Sequence, residues 1–99
     1  MNTRDEILTF LEQHKEELFA TYHLSKLGLF GSYARAEATE QSDVDVIFDF
    51  TEEAEDIYTL KMKLKSYLST VFERSVDLAR EKYLKPYAKE MIGKDIIYV

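Results

Sequence analysis

One polar stretch between two apolar segments, residues 30–45, constrains the chain more than any other feature. It predicts a strand end, a turn at Gly31-Ser32, a short helix, a polar loop, and a second strand that carries Asp43 and Asp45. Because alternate residues of a strand point to the same face, both carboxylates lie on one face, roughly 7 Å apart. At that separation the two carboxylates can converge on one bound cation.

The other face of this second strand is wholly apolar, so it is predicted to be buried; its residues are Val44, Val46, Phe48 and Phe50. Ser32 follows Gly31 at a predicted helix N-terminus, where unpaired N–H groups and the helix dipole favour an anion. Gly31 has no side chain, so a phosphate can approach its backbone closely. Phosphate-binding donors beside cation-binding carboxylates predict a site for a nucleoside triphosphate and its magnesium.

The pattern Gly31-Ser32 followed by Asp43-Val44-Asp45 resembles the motif of the nucleotidyltransferase superfamily that includes DNA polymerase β. Over nearly its full length the chain resembles the minimal nucleotidyltransferases (MNT) encoded beside HEPN-domain proteins in prokaryotes. The resemblance implies an antitoxin that transfers AMP from ATP onto a HEPN toxin. It departs from the family at Ala36, where glycine is usual, and a positive φ there would strain the backbone.

Asp77 is the candidate for a third carboxylate. It lies on a predicted strand, Ser75 to Ala79, and shares a face with those two small residues. Asp43, Asp45 and Asp77 would together hold two Mg²⁺ ions about 4 Å apart, since oxygen ligands without His or Cys favour Mg²⁺ or Mn²⁺ over zinc. Asp77 is also the candidate base beside the acceptor hydroxyl. The resemblance implies the same roles.

Composition predicts a single domain spanning residues 1–99, 45% hydrophobic, with no cysteine for disulfides, thiolate metal sites or nucleophiles. The net charge of −6 opposes direct nucleic-acid binding, which requires neutralisation of phosphates. No apolar run approaches the length of a signal sequence or a membrane span, so we expect a cytoplasmic protein.

Hydrophobic periodicity predicts the remaining elements. Thr3 and Glu6 have capping-box spacing and start a predicted helix that runs to Thr21. The other predicted elements are a strand at 24–30, a helix of about fifteen residues from Ile57, a helix from Pro86 to a stop at Gly93, and an apolar end at 95–99. That end either completes the sheet or forms an interface. The order predicts an α/β (α+β) polymerase β-type domain with a mixed sheet covered by helices.

The sequence allows two roles for some side chains near the Gly-Ser turn. Arg35, one helical turn after Ser32, either pairs with a phosphate or locks the loop by binding an acidic neighbour. Tyr33 either stacks on a ligand or packs in the interior. We interpret Asp49 as solvated, the lysines at 61, 63 and 65 as a solvated helix face, and His14 and His23 as ordinary histidines rather than metal ligands.

The acceptor is constrained by the size of the chain. The catalytic sheet and its helices use nearly every segment, so a partner must bring the acceptor, or a shallow surface must hold it. With the family resemblance, this favours a protein hydroxyl, a tyrosine of a bound HEPN RNase toxin. Two alternatives are an antitoxin that acts by complex formation alone and a small-molecule nucleotidyltransferase subunit of the aminoglycoside-modifying type.

Overall fold

The computed structural model describes residues 3–99. Its elements in chain order are α1 (Arg4–Gln13), α2 (Lys15–Tyr22), β1 (Leu24–Phe30), α3 (Gly31–Ala34), β2 (Val44–Phe50), α4 (Ile57–Phe72), β3 (Val76–Arg80), a 3-10 turn (Glu81–Tyr83), α5 (Pro86–Gly93) and β4 (Ile97–Tyr98). None of the helices in this part of the chain is long and apolar enough to cross a membrane.

The first helix begins where the capping box predicts. The Thr3 hydroxyl accepts a hydrogen bond from the Glu6 amide at 3.1 Å and donates one to the Glu6 carboxylate at 3.1 Å. The prediction of one continuous helix to Thr21 is wrong, because the backbone leaves the helical region at His14 (φ −105°, ψ 11°) and restarts as α2. The hydrophobic periodicity of the sequence does not reveal this break, because the buried side chains of α1 and α2 keep helical spacing across it.

The sheet is mixed, as predicted, with strand order β3-β2-β1-β4. β2 pairs antiparallel with β1 and parallel with β3, and the helix α4 makes the crossover that a parallel pair requires. The C-terminal apolar segment completes the sheet: β4 pairs antiparallel with β1, with Ile97 opposite Leu29 and Tyr98 opposite Gly28. The predicted fold class is therefore confirmed.

The core lies between one face of the sheet and the helices. Along β2, Val44, Val46 and Phe48 are fully buried, which confirms the predicted apolar face. The helices cover this face with further fully buried side chains, namely Ile7, Leu11, Leu64, Leu68 and Phe72. β2 lies inside the sheet, with β3 paired along one edge and β1 along the other. This pairing and the buried side chains of β2 fix the position of the residues at its start.

Asp49, near the end of β2, is not solvated as predicted. Its carboxylate accepts hydrogen bonds from the Arg80 guanidinium at 2.9 Å and from the amides of Phe50 and Lys82 at 2.8 and 3.1 Å. The two paired side chains are only 18% and 14% exposed. Burial would by itself raise the pKa of Asp49, but the hydrogen bond from Arg80 and those from the backbone lower it overall.

We expect Asp49→Asn to lower the free energy of unfolding at pH 7 by about 1–3 kcal/mol, because it leaves the Arg80 charge without its counter-ion. A lowered pKa in the folded state means that this stabilisation is present above the unfolded pKa of about 3.9 and is lost as the pH falls through the folded value. Urea denaturation at pH 7 and pH 3 measures both effects. An equal difference between wild type and variant at both pH values would contradict the assignment.

Candidate active site

Three neighbouring strands bring the predicted site residues together in one row. Asp45 is the register partner of Phe30 on β1 and of Asp77 on β3. Neighbouring strands lie about 4.8 Å apart, so Asp45 and Asp77 leave adjacent strands side by side on the same face. Asp43 lies one residue before β2 and is exposed. Gly31 follows Phe30 directly and begins α3 beside Asp45.

Asp45 is affected by the charges of the other two carboxylates. Burial raises the pKa of Asp45, and the negative charges of Asp77 and then Asp43 raise it further, while the positive charge of Arg35 opposes them. Within residues 3–99, no three or more His, Cys, Asp or Glu side chains are already arranged to hold a metal ion. The acids are thus mutually repelling neighbours in an open site, rather than a closed cage.

That arrangement suits Mg²⁺. The donors are carboxylate oxygens only, and the repulsion that they exert on Asp45 is relieved by a cation. Magnesium is usually bound by one or two carboxylates together with substrate phosphates, and does not require a complete protein cage. The residues present therefore fit a magnesium ion that arrives with a phosphate substrate.

The fold itself favours glycine at position 31. Its φ of +72° is in the left-handed region, and a Cβ built there would collide with the Asp45 carboxylate, 3.0 Å from its Cγ. The backbone of the Gly-Ser turn therefore packs directly against one of the three acids. The sequence suggested close approach of a phosphate, whereas the structure adds close approach of Asp45.

The short helix α3 is closed by hydrogen bonds from the Arg35 amide to the Gly31 carbonyl, 3.1 Å, and from the Glu37 amide to the Ser32 carbonyl, 2.8 Å. Ser32 is half-buried near its start. Tyr33 is 1% exposed and belongs to the core cluster, so of its two predicted roles the structure shows packing.

Arg35 is the first residue after α3, and the structure shows its loop-locking arrangement. Its guanidinium donates to Glu37 at 3.1 Å and to Asp95 at 3.5 Å. The second contact ties the end of α3 to the segment before β4. The positive charge of Arg35 also partly offsets the rise in the pKa of Asp45. A role of Arg35 in binding phosphate stays a prediction.

The loop between α3 and β2 delivers Asp43 to the site. The Ser42 hydroxyl accepts from the Thr39 amide at 2.8 Å, which closes a turn just before Asp43. The Arg74 guanidinium, from the loop after α4, donates to the Glu40 carbonyl at 2.9 Å. Sequence reasoning missed Arg74 and Asp95 as supports of the site, because their partners are 34 and 60 residues away in the chain and no spacing signals them.

Ala36 adopts the conformation for which glycine is suited, with φ at +59°. A non-glycine residue in the left-handed region costs about 1–2 kcal/mol, whereas glycine adds about 0.4–1 kcal/mol of chain entropy to the unfolded state.

We therefore expect Ala36→Gly to raise the free energy of unfolding by up to about 1 kcal/mol, or roughly 4–8 °C in Tm. Differential scanning calorimetry measures this. A lower Tm for the variant would mean that the methyl group of Ala36 makes contacts that outweigh the backbone strain.

The two histidines agree with their predicted ordinary roles. His14 stacks on Phe10, with ring centroids 4.3 Å apart, and His23 ends α2 in the left-handed conformation with φ at 53°. Among the lysines predicted to form a solvated face of α4, Lys63 and Lys65 are exposed and Lys61 is half-buried.

The model of the nucleotidyltransferase domain family matches residues 6–99 of this chain. Two curated relatives are similar along their length. MJ0126 of Methanocaldococcus jannaschii, which is assigned by name to the protein adenylyltransferases, is 42% identical over 101 residues, with both chains covered in full. The protein adenylyltransferase MntA of Thermococcus cleftensis is 37% identical over 101 residues, covering 100% of this chain and 98% of the relative.

Solved structures share the fold. A protein described as a minimal nucleotidyltransferase has a TM-score of 0.79 at 27% identity, covering 96% of this chain and 94% of that one. A toxin–antitoxin with AMP-PNP has a TM-score of 0.68 at 19% identity, covering 88% and 70%. The complex of a tri-AMPylated HEPN toxin of Shewanella oneidensis with its MNT antitoxin has a TM-score of 0.61 at 17% identity, covering 91% and 69%.

These findings confirm the resemblance seen in the sequence. The family model covers nearly the whole chain. The chain belongs to the nucleotidyltransferase domain family and is a minimal nucleotidyltransferase, an enzyme related to the protein adenylyltransferase MntA.

Proposed function

We propose that this enzyme is an antitoxin that transfers AMP from ATP to a tyrosine hydroxyl of a cognate HEPN RNase toxin, and so neutralises it. The observation that carries the proposal is the row formed by the Gly31 turn, Asp45 and Asp77 across three strands. The protein adenylyltransferase relatives and the AMPylated HEPN toxin bound to its MNT antitoxin support the class of reaction and of acceptor. The AMP-PNP complex supports ATP as the donor.

In the proposed reaction the acceptor hydroxyl oxygen forms a bond to the α-phosphorus of ATP. The bond from that phosphorus to the bridging oxygen of the β-phosphate breaks, and pyrophosphate leaves. Asp77 accepts the hydroxyl proton, either directly or through a water molecule. The products are an AMP ester of the acceptor and pyrophosphate.

The other residues of the site bind and orient the substrates. The Gly31 and Ser32 amides and the Ser32 hydroxyl would hold the β- and γ-phosphates, with Arg35 exchanging an acidic partner for a phosphate oxygen. Asp43, Asp45 and Asp77 would hold two Mg²⁺ ions. When bound, Mg²⁺ stabilises the charge that develops on the attacking and leaving oxygens.

AMP on the toxin would add bulk and negative charge at or near its RNase site. That chemistry explains how one transferred group could switch off an enzyme that acts on a polyanion. An acidic MNT chain, with a net charge of −6, is itself unsuited to competing for the RNA.

The test uses the purified chain, its HEPN neighbour, Mg²⁺ and ATP labelled at the α-phosphate. We expect the HEPN protein to become labelled, with no labelling from γ-labelled ATP, and we expect EDTA or Asp77→Asn to abolish the reaction. Mass spectrometry then locates the modified tyrosine. Labelling that persists in Asp77→Asn would overturn the mechanism.

Two other outcomes identify the alternatives. RNase inhibition that survives Asp43→Asn in full would show that complex formation alone neutralises the toxin. Transfer of AMP to an aminoglycoside, with no labelling of the HEPN protein, would show a small-molecule nucleotidyltransferase.

A further inference from the structure

A shallow hollow lies at the far end of β2 and β3 from the carboxylates. It has a volume of about 220 Å³ and is lined by Phe50, Ile57, Tyr58, Lys61, Arg80 and Tyr83; we call it the tyrosine hollow. Along the strands, Phe50 comes five residues after Asp45 and Arg80 three residues after Asp77. At about 3.3 Å per residue these separations are roughly 16 and 10 Å, too far for the hollow to hold the reacting hydroxyl.

Two of the rings that line the tyrosine hollow are largely exposed to water. Tyr58 is 74% exposed and Tyr83 is 69% exposed. Tyrosine and arginine are the residue types most enriched among those that dominate binding energy at protein interfaces. Exposed rings beside an arginine therefore resemble one half of an interface.

The arginine of the tyrosine hollow is already held in place. The Arg80 guanidinium lies 5.2 Å from the Phe50 ring centroid and 5.1 Å from that of Tyr83, and Asp49 binds it at 2.9 Å. Since this side chain is only 14% exposed, little further ordering would accompany binding. The floor of the hollow is preorganised, while its two tyrosine walls are accessible.

Charge indicates what kind of molecule the tyrosine hollow would take. Residues 57–99 hold nine Lys and Arg against five Asp and Glu, a net +4, whereas residues 1–56 have a net −10. Lys61 lines the hollow and the Lys82 ammonium lies 5.8 Å from the Tyr83 ring centroid. Asp49 neutralises Arg80, and Glu52 in the adjoining hollow offsets one of the two lysines, so the charged side chains that line the two hollows have a net charge of +1.

We propose that the tyrosine hollow docks an acidic segment of the protein acceptor. An apolar side chain of that segment inserts between Tyr58 and Tyr83, and flanking carboxylates meet Lys61 and Lys82. This rests on the proposed function, which takes the acceptor to be a protein. A macromolecule spans the 10–16 Å between the hollow and the carboxylates, whereas a small acceptor does not.

The test is calorimetric binding of the HEPN protein in the absence of ATP. We expect Tyr58→Ala and Lys61→Glu each to weaken binding at least tenfold, as removal of an interface anchor does. The matched controls are Tyr87→Ala, 65% exposed and outside the hollow, and Lys63→Glu, on the same helix as Lys61. Both controls are expected to bind within twofold of wild type.

AMP transfer gives a second readout. The hollow variants should raise KM for the HEPN protein while KM for ATP and kcat at saturating acceptor stay within twofold of wild type. A loss of kcat, or equal weakening by the hollow and control variants, would overturn the docking proposal. So would size-exclusion data showing a wild-type homodimer that Tyr58→Ala dissociates, since the occupant would then be a second copy.

The failures of the two proposals can be told apart. Normal binding and transfer by Tyr58→Ala and Lys61→Glu would remove the docking proposal and leave the proposed function intact. A wild-type protein that neither binds nor labels the HEPN protein would remove both.

Discussion

Replacing Asp45 by asparagine should reduce AMP transfer by at least about 1000-fold, or about 4 kcal/mol of transition-state stabilisation. The reason is geometric. Asp45 is the central member of the row, paired in register with Asp77 and packed against Gly31, so it lies between the proposed metal ligands and the proposed phosphate-binding turn. Single-turnover rates with α-labelled ATP measure the loss.

The same variant should keep or gain stability in the absence of metal. The raised pKa of Asp45 means that its ionised form is less favourable in the folded protein than in the unfolded chain. The stability of the wild-type protein therefore falls as the pH rises from the unfolded pKa of Asp45 through its folded pKa, and the penalty persists at neutral pH. Asparagine removes that penalty.

We therefore expect the metal-free Asp45→Asn variant to match or exceed the Tm of wild type at pH 7, and the two to converge near pH 4. Mg²⁺ with ATP should raise the Tm of wild type and have little effect on the variant, because a ligand stabilises only the state that binds it. A variant that melts well below wild type at pH 7 would mean that Asp45 is a structural residue.

Replacing Gly31 by alanine should have the second large effect. The positive φ costs about 1–2 kcal/mol for a residue with a Cβ, which predicts a Tm lower by roughly 4–16 °C. The new methyl group would also displace the Asp45 carboxylate, which its position overlaps. Because misplacing a catalytic group by 1 Å costs about 100-fold in rate, we expect at least that loss in AMP transfer.

Gly93→Ala is the matched control. A Cβ at Gly93 meets nothing within 4 Å, and Gly93 lies at the end of α5, so both Tm and rate should stay at or slightly above those of wild type. A Gly31→Ala variant with a lower Tm but an unchanged rate would separate the two effects. Gly31 would then matter for the turn alone, and the contact with Asp45 would have no catalytic role.

Features that depend on residues close together in the sequence were predicted well, and features that depend on distant residues were not. The strand predicted at 24–30 has the same limits in the structure, and the third strand, predicted at 75–79, is shifted by one residue. These elements are specified by side-chain periodicity within a few residues. The grouping of Asp43 and Asp45 was predicted from their strand spacing, and Asp77 was added because of the motif upstream of it; cation binding by the three stays a prediction.

One failure concerns a partner that is distant along the chain, and the other a local break in a helix. Asp49 was predicted to be solvated, but the parallel pairing of β2 with β3 brings Arg80, 31 residues later in the chain, beside it. The helix break at His14 left no trace in the apolar pattern on either side of it. The strain at Ala36 was a conditional prediction, and the structure shows the positive φ on which it depended.

By itself the sequence determined the class of fold and the family, and it supplied the prediction of which acids and which glycine form the site, since these are properties of residue type and short-range spacing. Only the tertiary structure decided that Gly31 is pressed against Asp45, that Arg35 is bound to Asp95, and that Arg80 is clamped between two rings. The physical reason is that such contacts form when strand order and register bring separated segments together, and local sequence does not encode that order.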